Sequence, residues 1–325
     1  MGTPPGTGAW EDKSRPRFKS TLASRHGIRA ILLIDDPGDG ALSPIGSVYH
    51  GDVGTQQVAV PQLSIRNRIA DDLLYGLPHT AATLRRQIAD SGKPYPMALK
   101  TRVTLEARAR YVAEAMTWNV VGFIEGSDPT VADEYVVVGA HLDHVGNQAG
   151  VLFAGAQDNA SGSVMVMALA EAMSRSSTKP RRSVCFVLFA GEELFLAGSQ
   201  YFAAHPPRPI SQAVGMINLD MVGTGPRLRM DGGETTPAFQ LMAVEADRLY
   251  GNFGLAEQDP TPAVAGASDH SAFINAGVPT IYFHSRGAPG RAHTPEDVAS
   301  TIDYDAFART TRVVYLTLFQ MADRP

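Results

Sequence analysis

Cysteine is almost absent from this chain: Cys185 is the single cysteine among 325 residues. One thiol cannot form an internal disulfide, and because an apolar run surrounds it, we expect a small buried side chain. No stretch approaches the roughly 20 consecutive apolar residues of a membrane-spanning helix. Basic residues are not in excess either, since 28 Lys and Arg stand against 33 Asp and Glu. This balance excludes the electrostatic surface that nucleic-acid binding requires.

The amino end also lacks the hydrophobic segment of a signal peptide, since residues 1–18 are polar and rich in Gly and Pro. The chain as written is therefore expected to be cytoplasmic, or exported if its amino end is truncated. What is present is ordinary for a globular protein, with 44% hydrophobic and 19% charged residues. That is enough apolar material for a sizeable core.

Short apolar runs alternate with helical patterns over the last two thirds of the chain. Buried strands are predicted at Tyr135–Ala140, within "RRSVCFVLFAGEE", at Ala213–Gly223 and within "VPTIYFHS". Helices are predicted in "DNASGSVMVMALAEAMSRS", "TPAFQLMAVEADRLYG" and the closing "TIDYDAFARTTRVVYLTLFQMA", and Ser268 and Gly277 are expected to cap a short helix. This alternation predicts an α/β fold, a mixed and mostly parallel sheet sandwiched by helices.

A smaller α/β unit is predicted ahead of this region. Its helix is expected at Phe18–Gly27 and its strands at Ile28–Asp35 and Val58–Ile65. The unit carries no cluster of acids and histidines. We therefore expect two domains, residues 1–110 and residues 111–325.

The stretch "FVLFAGEEL", from Phe186 to Leu194, ends a predicted strand in two adjacent carboxylates, Glu192 and Glu193. Gly191 breaks the apolar run just before them. In open α/β sheets, ligands bind beyond the carboxyl ends of the strands. A helix N-terminus would also favour acids there, but two neighbouring acids at this point suggest a bound cation or a shared proton.

Other acids and histidines follow predicted strands in the same way: His141, Asp143, His144, Asp158, Asp220 and His293. Singly, each has an ordinary explanation, such as a helix cap for Asp158 or a surface loop for His293. Together at one sheet edge they predict a cluster of imidazoles and carboxylates, which suits Zn²⁺. The candidates exceed the ligands of one tetrahedral ion. Two ions about 3.5–4 Å apart, bridged by a carboxylate, account for five ligands and a shared water.

The segments "GAHLDH", "GAQDNASG", "FVLFAGEE", "NLDMVG", "SDHSAF" and "AHTPED" resemble, in order, the motifs of the M28 family of zinc aminopeptidases. The resemblance covers roughly residues 115–325. It implies the zinc-peptidase fold and a di-zinc exopeptidase that hydrolyses peptides with a free N-terminus.

The resemblance also implies a role for each site residue. It assigns five ligands to two Zn²⁺ ions: His141 and Asp220 to one, Glu193 and His293 to the other, and Asp158 to both. Glu192 would be the general base that takes a proton from the zinc-bridged water. Asp143 would accept the second ring N–H of His141 and so orient it. His144 receives no role from the family.

One position departs from the family pattern. Some members carry a Tyr three residues before the Ser of the "SDH" motif as an oxyanion donor, and Ala265 stands there in this chain. His270 and Tyr282 are the alternative candidates for this contact with the substrate.

The amino-terminal unit resembles the later part of a protease-associated (PA) domain, which many M28 members carry as an insertion. The similarity lies in "FKSTLASRHGIRAILLIDDP" and "VPQLSI" and lacks the first strands of that domain. The PA-like unit is therefore expected to be partial. Its expected role is to shape or restrict access to the cleft, unless it only stabilises the chain.

Other functions stay open on the same fold. A glutaminyl cyclase would use one zinc, and the intact five-ligand set disfavours it. A carboxypeptidase would need Arg286 or Arg291 to face the site. A non-catalytic binding module is disfavoured because no ligand is missing. The oligomeric state and the preferred N-terminal residue do not follow from the sequence, although the loops Gly223–Met230 and Gly254–Gly266 are expected to line the pocket for that residue.

Overall fold

The structure is a computed structural model that describes residues 16–34, 60–106, 114–148 and 150–324. The chain divides into two units, one ending at Ala115 and the other beginning at Met116. The first unit contains these elements: α1 (Pro16–Arg25), β1 (Ile31–Ile34), β2 (Gln62–Ile65), α2 (Asn67–Leu73) and α3 (Ala81–Ser91).

Within the first unit, β1 and β2 form a parallel pair. The Thr80 side chain caps α3, and the carboxylate of Asp71 in α2 accepts the N–H of Ala81 at 2.7 Å. Gly92 follows α3 with a left-handed φ of 60°, which glycine adopts more easily than other residues. The predicted helix and both strands are present, with strands shorter than expected, and the turn from Asp35 lies outside the described residues. The likeness to a PA domain stays a prediction.

The described part of the second unit contains these strands: β3 (Val120–Ile124), β4 (Tyr135–His141), β5 (Gly146–Gln148), β6 (Val151–Phe153), β7 (Ser183–Phe189), β8 (Ala213–Leu219), β9 (Arg227–Asp231) and β10 (Thr280–Arg286). Six of them form one sheet in the order β3-β7-β4-β8-β10-β9, and β5 pairs with β6 in a separate hairpin. The four inner strands run parallel, whereas the edge strands β3 and β9 are antiparallel to their neighbours. The predicted mixed, mostly parallel sheet is confirmed.

Helices cover both faces of this sheet: α4 (Ser161–Arg175), α5 (Ala197–Ala204), α6 (Pro237–Ala246), α7 (His270–Asn275) and α8 (Tyr304–Asp323). Alternate side chains of β4 pack in different cores. Val136 and Val138 join a cluster with α4, α6 and α8, and Tyr135 and Val137 join one with α5 and α7. A parallel strand covered on both faces must be apolar throughout, which explains the unbroken run "YVVVGA".

The parallel strands also determine where a site can form. β4 lies between β7 and β8, so the chain first moves to one side of β4 and then to the other. In doubly wound sheets, ligands bind in the crevice at such a switch point, beyond the carboxyl ends of the strands. The carboxyl ends of β4, β7, β8 and β10 share this edge.

Three local features differ from the sequence expectations. The hairpin β5–β6 and the edge strand β9 were not predicted, and β9 lies in a segment that was expected to be a loop. The Ser268 cap is wrong: α7 begins at His270, with Asp269 in the N-cap position and no side-chain cap hydrogen bond. Gly277 follows α7 with φ of 78°, as expected for a helix end.

None of the described helices is long and apolar enough to cross a lipid bilayer. Cys185 lies in β7 and is fully buried, as predicted. Burial raises the pKa of its thiol to about 12, so this thiol is a core side chain and not a reactive group.

Candidate metal centre

The carboxyl edge of the sheet gathers all the residues predicted to bind metal: His141, Asp158, Glu193, Asp220 and His293. His141 ends β4, and the others lie in loops beyond a strand or ahead of α4. Together with His144, they form two groups of side chains. We call His141, Asp158 and Asp220 the inner cluster, and His144, Asp158, Glu193 and His293 the outer cluster.

In the inner cluster, all three side chains are buried. His141 Nε2 lies 3.3 Å from Asp158 Oδ1 and 3.4 Å from Asp220 Oδ1. The hydroxyl of Ser268, which was expected to cap a helix, donates to Asp220 Oδ2 at 2.7 Å instead. Asp220 Oδ1 is buried without a hydrogen-bond partner among the described residues, and it faces His141.

In the outer cluster, His293 Nε2 lies 2.9 Å from Glu193 Oε1 and 3.2 Å from Asp158 Oδ2. Asp158 therefore presents Oδ1 to the inner cluster and Oδ2 to the outer one. His144 also belongs to this group, since its Nδ1 lies 2.9 Å from Glu193 Oε1. The sequence placed His144 at this edge, but the family resemblance gave it no role.

Two amide side chains flank Asp158 and fix it against the segment that carries Asp220. Asn159 accepts the N–H of Met221 at 3.2 Å, and Gln157 donates to the carbonyl of Met221 at 2.7 Å. The peptide bond between Asp158 and Asn159 is cis. Sequence reasoning missed both amides, although their position on either side of a candidate ligand was visible in "AQDNA".

A further buried carboxylate, Asp297, connects the loops of the outer cluster. It accepts the N–H of Gln157 at 2.7 Å with one oxygen and that of Asp158 at 3.0 Å with the other. Because Asp297 lies four residues after His293 in "AHTPED", it ties the His293 loop to the Asp158 loop. It is fully buried, and sequence reasoning did not single it out.

We expect Asp297→Asn to lower the free energy of unfolding by about 1–3 kcal/mol, since an amide cannot accept both N–H groups and one is left unsatisfied. Urea unfolding of the metal-free protein measures this effect. The control is Glu296→Gln, which makes the same chemical change at the exposed neighbouring position and should leave stability unchanged. A similar loss in both variants would show that charge alone matters, not the two hydrogen bonds.

Asp143 contacts its neighbours differently from the expectation. The carbonyl oxygen of Asp143, not its carboxylate, lies 3.0 Å from His141 Nδ1, and the carboxylate is 3.9 Å away. The two carboxylate oxygens accept the backbone N–H groups of Glu192 and Glu193 at 3.1 and 3.3 Å. Asp143 thus fixes both the imidazole and the glutamate pair.

The electrostatics of the site favour positive charge. Burial disfavours the charged form of His141, but Asp158 and Asp220 outweigh it and raise the pKa of His141 to about 12. Asp158 and Glu193 raise the pKa of His293 to about 10. The carboxylates therefore hold protons on both imidazoles unless another cation balances them.

Glu192 has a different environment from Glu193. Burial, together with the nearby negative charges of Asp220, Asp269 and Glu193, raises the pKa of Glu192 to about 8, although His141 opposes the shift. Glu193 keeps a lowered pKa, because its contacts with His144 and His293 outweigh burial. Glu192 belongs to neither cluster of candidate ligand atoms. The two adjacent glutamates thus differ in their capacity to carry a proton.

The distances within the inner cluster match those between ligands of one Zn²⁺ ion, whereas those of the outer cluster scatter around that range. Zn²⁺ ligands at about 2.0–2.2 Å in a tetrahedron stand roughly 3.3–3.6 Å apart. The inner cluster has separations of 3.3 and 3.4 Å, and those of the outer cluster run from 2.9 to 4.0 Å. The unpartnered Asp220 Oδ1 is the kind of buried oxygen that a cation satisfies.

Residues 119–318 match peptidase family M28, and this region is more than half of the chain. The chain belongs to peptidase family M28. The match confirms the resemblance drawn from the six motifs.

This M28 peptidase is 31% identical over 169 residues to leupeptin-inactivating enzyme 1 from Streptomyces exfoliatus. The matched region covers 51% of this chain and 35% of that protein. It is 31% identical over 172 residues to leucine aminopeptidase 2 from Trichophyton equinum, covering 50% of the chain and 32% of that protein. The chain therefore spans about a third of the length of these curated relatives. The solved structure of BSAP, a zinc aminopeptidase from Bacillus subtilis, has the same fold, with a TM-score of 0.64, 18% identity, and coverage of 95% of this chain and 68% of that one.

The two candidate oxyanion residues of this M28 peptidase differ in availability. His270 is fully buried, with Nε2 3.0 Å from the carbonyl of Val264 and Nδ1 3.3 Å from the amide of Asn218. Tyr282 stacks on His270 at 4.7 Å between ring centroids. Its hydroxyl makes no hydrogen bond within the described residues, and burial and the charges of Asp220 and Asp158 raise its pKa. Tyr282 is therefore the one with a free donor.

The two arginines that the carboxypeptidase alternative requires are at the surface. Both side chains, those of Arg286 and Arg291, are exposed.

Backbone conformations with positive φ occur at the candidate metal ligands and shortly after them. Among described residues, four of the five non-glycine positions with positive φ come shortly after candidate ligands or are one: Phe195, Leu196, Met221 and His293. Such conformations concentrate at functional sites.

Proposed function

We propose that this M28 peptidase is a metallo-aminopeptidase that hydrolyses the N-terminal bond of peptides and binds two Zn²⁺ ions, one at each cluster. The observation that carries the proposal is Asp158, whose Oδ1 lies 3.3 Å from His141 Nε2 and whose Oδ2 lies 3.2 Å from His293 Nε2. A carboxylate that faces two donor groups in this way matches a two-metal site. The names of the relatives, leucine aminopeptidase and zinc aminopeptidase, support this substrate class and metal.

Charge balance supports two ions over one. The inner and outer clusters contain three carboxylates, those of Asp158, Glu193 and Asp220. One divalent ion would leave a net negative charge in a largely buried site, which is costly. Two ions leave one positive charge, and the carboxylate of Glu192 beside them balances it.

Bound Zn²⁺ supplies Lewis acidity, which lowers the pKa of a water and polarises a carbonyl. The residues of the chain supply the proton transfer and the alignment. Glu192 stays outside both ligand sets, so its carboxylate is available to take a proton from water and deliver it to the leaving amine. Positive charge in both clusters would lower the pKa of Glu192 from about 8 toward neutrality, where a general base works best. Asp143 holds the backbone of Glu192 in place.

A panel of aminoacyl p-nitroanilides, assayed with and without chelator, tests the proposal. We expect release of p-nitroaniline that chelation abolishes and added Zn²⁺ restores, and no release once the α-amine is acetylated. Hydrolysis that is insensitive to chelation would contradict the metal mechanism. Pyroglutamate formation with one zinc per chain would favour the glutaminyl cyclase alternative, and cleavage from the C-terminus would favour the carboxypeptidase.

Tyr282 is the proposed oxyanion donor in place of the Tyr that Ala265 replaces. We expect Tyr282→Phe to lower kcat about 10²-fold, the usual cost of removing one such donor, and to leave KM and metal content near wild type. Steady-state kinetics with leucine p-nitroanilide measures both constants. Tyr201→Phe, at an exposed position on α5, is the control and should retain full activity. An unchanged kcat in Tyr282→Phe would rule out this role.

A further inference from the structure

His144 lies buried in the outer cluster, although the family resemblance gives it no role. Only 7% of its side chain is exposed. Both ring nitrogens are buried and lack a hydrogen-bond partner among the described residues. A buried polar group without a partner destabilises the folded chain, so an imidazole in this position calls for a ligand.

The neighbouring backbone leaves room for this ring. Gly155, in the loop ahead of Asp158, has φ of 67°, and a Cβ at that position would lie 2.5 Å from His144 Cγ. Any larger residue at Gly155 would displace the ring. The ring of His144 also packs edge-on against that of His293, with centroids 5.3 Å apart at an angle of 68°. The position of His144 is therefore fixed on two sides.

His144 lies close enough to the other residues of the outer cluster to share an ion with them, since one ligand atom from each of the four lies within 4.8 Å of the rest. His144 Nδ1 lies 2.9 Å from Glu193 Oε1 and 4.0 Å from Asp158 Oδ2. No hydrogen bond of acceptable direction joins it to either oxygen, and Glu193 Oε1 already contacts His293 Nε2 at 2.9 Å. Donor atoms that crowd together without pointing at one another are typical of ligands that share an ion.

We infer that His144 is a fourth protein ligand of the outer metal ion, so that the two ions are held unequally. This inference rests on the proposed two-metal function. With His144, the outer cluster offers two imidazoles and two carboxylates, whereas the inner cluster offers one imidazole and two carboxylates. Zinc can expand from four to five ligands, so a water shared by the two ions keeps its place beside four protein ligands. The outer ion has one more protein ligand than the inner ion and is therefore the more tightly bound of the two.

Metal binding to the full chain tests the ligand role. Metal-free protein is titrated with Zn²⁺ in competition with a chromophoric chelator. We expect two sites of unequal affinity in the wild type, and His144→Ala should weaken the tighter one by at least about tenfold, the lower end of what perturbing a metal site costs. In an Asp220→Asn background, which disables the inner cluster, the same loss should appear in the remaining site. His205→Ala, at an exposed histidine on the end of α5, is the control and should change neither site.

Proton NMR of the Co²⁺-loaded protein distinguishes a ligand from a residue that only positions Glu193. A ligating imidazole gives a strongly shifted, exchangeable N–H resonance. Three such resonances are expected in the wild type, from His141, His144 and His293, and two in His144→Ala. Two resonances in the wild type would overturn the inference even if the variant fails to fold. Equal Zn²⁺ affinities in wild type and His144→Ala would overturn it as well, whereas a wild type that binds no metal would overturn the proposed function itself.

Discussion

Glu192→Gln is expected to lower kcat by about 10²- to 10⁴-fold, the range that general acid–base catalysis contributes, while both metal ions stay bound. Glutamine has nearly the same shape as glutamate but cannot accept the proton. The atoms of Glu192 lie outside both clusters, so the ligand sets should be unaffected. Turnover of leucine p-nitroanilide and metal content, measured on the same sample, show the two effects separately.

Glu193→Gln provides the matched control, because it makes the same change one residue away. Glu193 Oε1 lies 2.9 Å from both His293 Nε2 and His144 Nδ1, so this variant should lose affinity at the outer cluster. If Glu192→Gln also released metal, or if it kept full turnover, Glu192 would not be the base.

Asp158→Asn is expected to abolish measurable turnover and to weaken metal binding at both clusters. An amide offers one neutral oxygen in place of two charged ones, so neither cluster keeps its full donor set. The stabilisation of the folded chain by Zn²⁺ should therefore be smaller in this variant. At a free Zn²⁺ concentration of 100 times the Kd, each bound site adds about 2.7 kcal/mol to the free energy of unfolding. Thermal unfolding with and without Zn²⁺ measures this difference.

The comparison for Asp158→Asn is Asp220→Asn, because Asp220 contacts only the inner cluster. Asp220→Asn should reduce affinity at one site and leave the other intact. A variant at Asp158 that behaved in the same way would show that its carboxylate serves one ion and is not shared.

The position of the site at the carboxyl edge of the sheet could be predicted, because it follows from local sequence patterns. β4 is an apolar run that ends at His141, and the apolar run of β7 is followed within a few residues by Glu192 and Glu193. Parallel strands place their carboxyl ends together. The proximity of His141, Glu193 and Asp220 therefore followed from the order of runs and acids. The motifs supplied the assignment to family M28.

The supporting hydrogen bonds could not be predicted, because they depend on how loops from distant parts of the chain meet. Ser268 was expected to cap a helix, yet it donates to Asp220, 48 residues away. Asp297 accepts from the backbone of Gln157, 140 residues away. Neither partner is visible in local sequence. The role inferred for His144 could not be predicted for the same reason, because it depends on how closely Gly155 and Glu193 approach the ring in the fold.

Strand β9 was missed for another reason. "RLRMD" is short, contains three charged residues and follows "GTGP", so it resembles a loop. In the fold, Leu228 and Met230 are buried, whereas the alternate residues Arg227, Arg229 and Asp231 are more exposed. An edge strand needs to bury only alternate residues, and five residues give too little pattern to identify one.

The zinc content of the metal-free chain after equilibrium dialysis against Zn²⁺ tests the shared carboxylate most directly. Two ions per chain are expected for the wild type, with a loss of affinity at both sites in Asp158→Asn. A single ion in the wild type, or two ions held with undiminished affinity in Asp158→Asn, would contradict a two-metal centre bridged by Asp158.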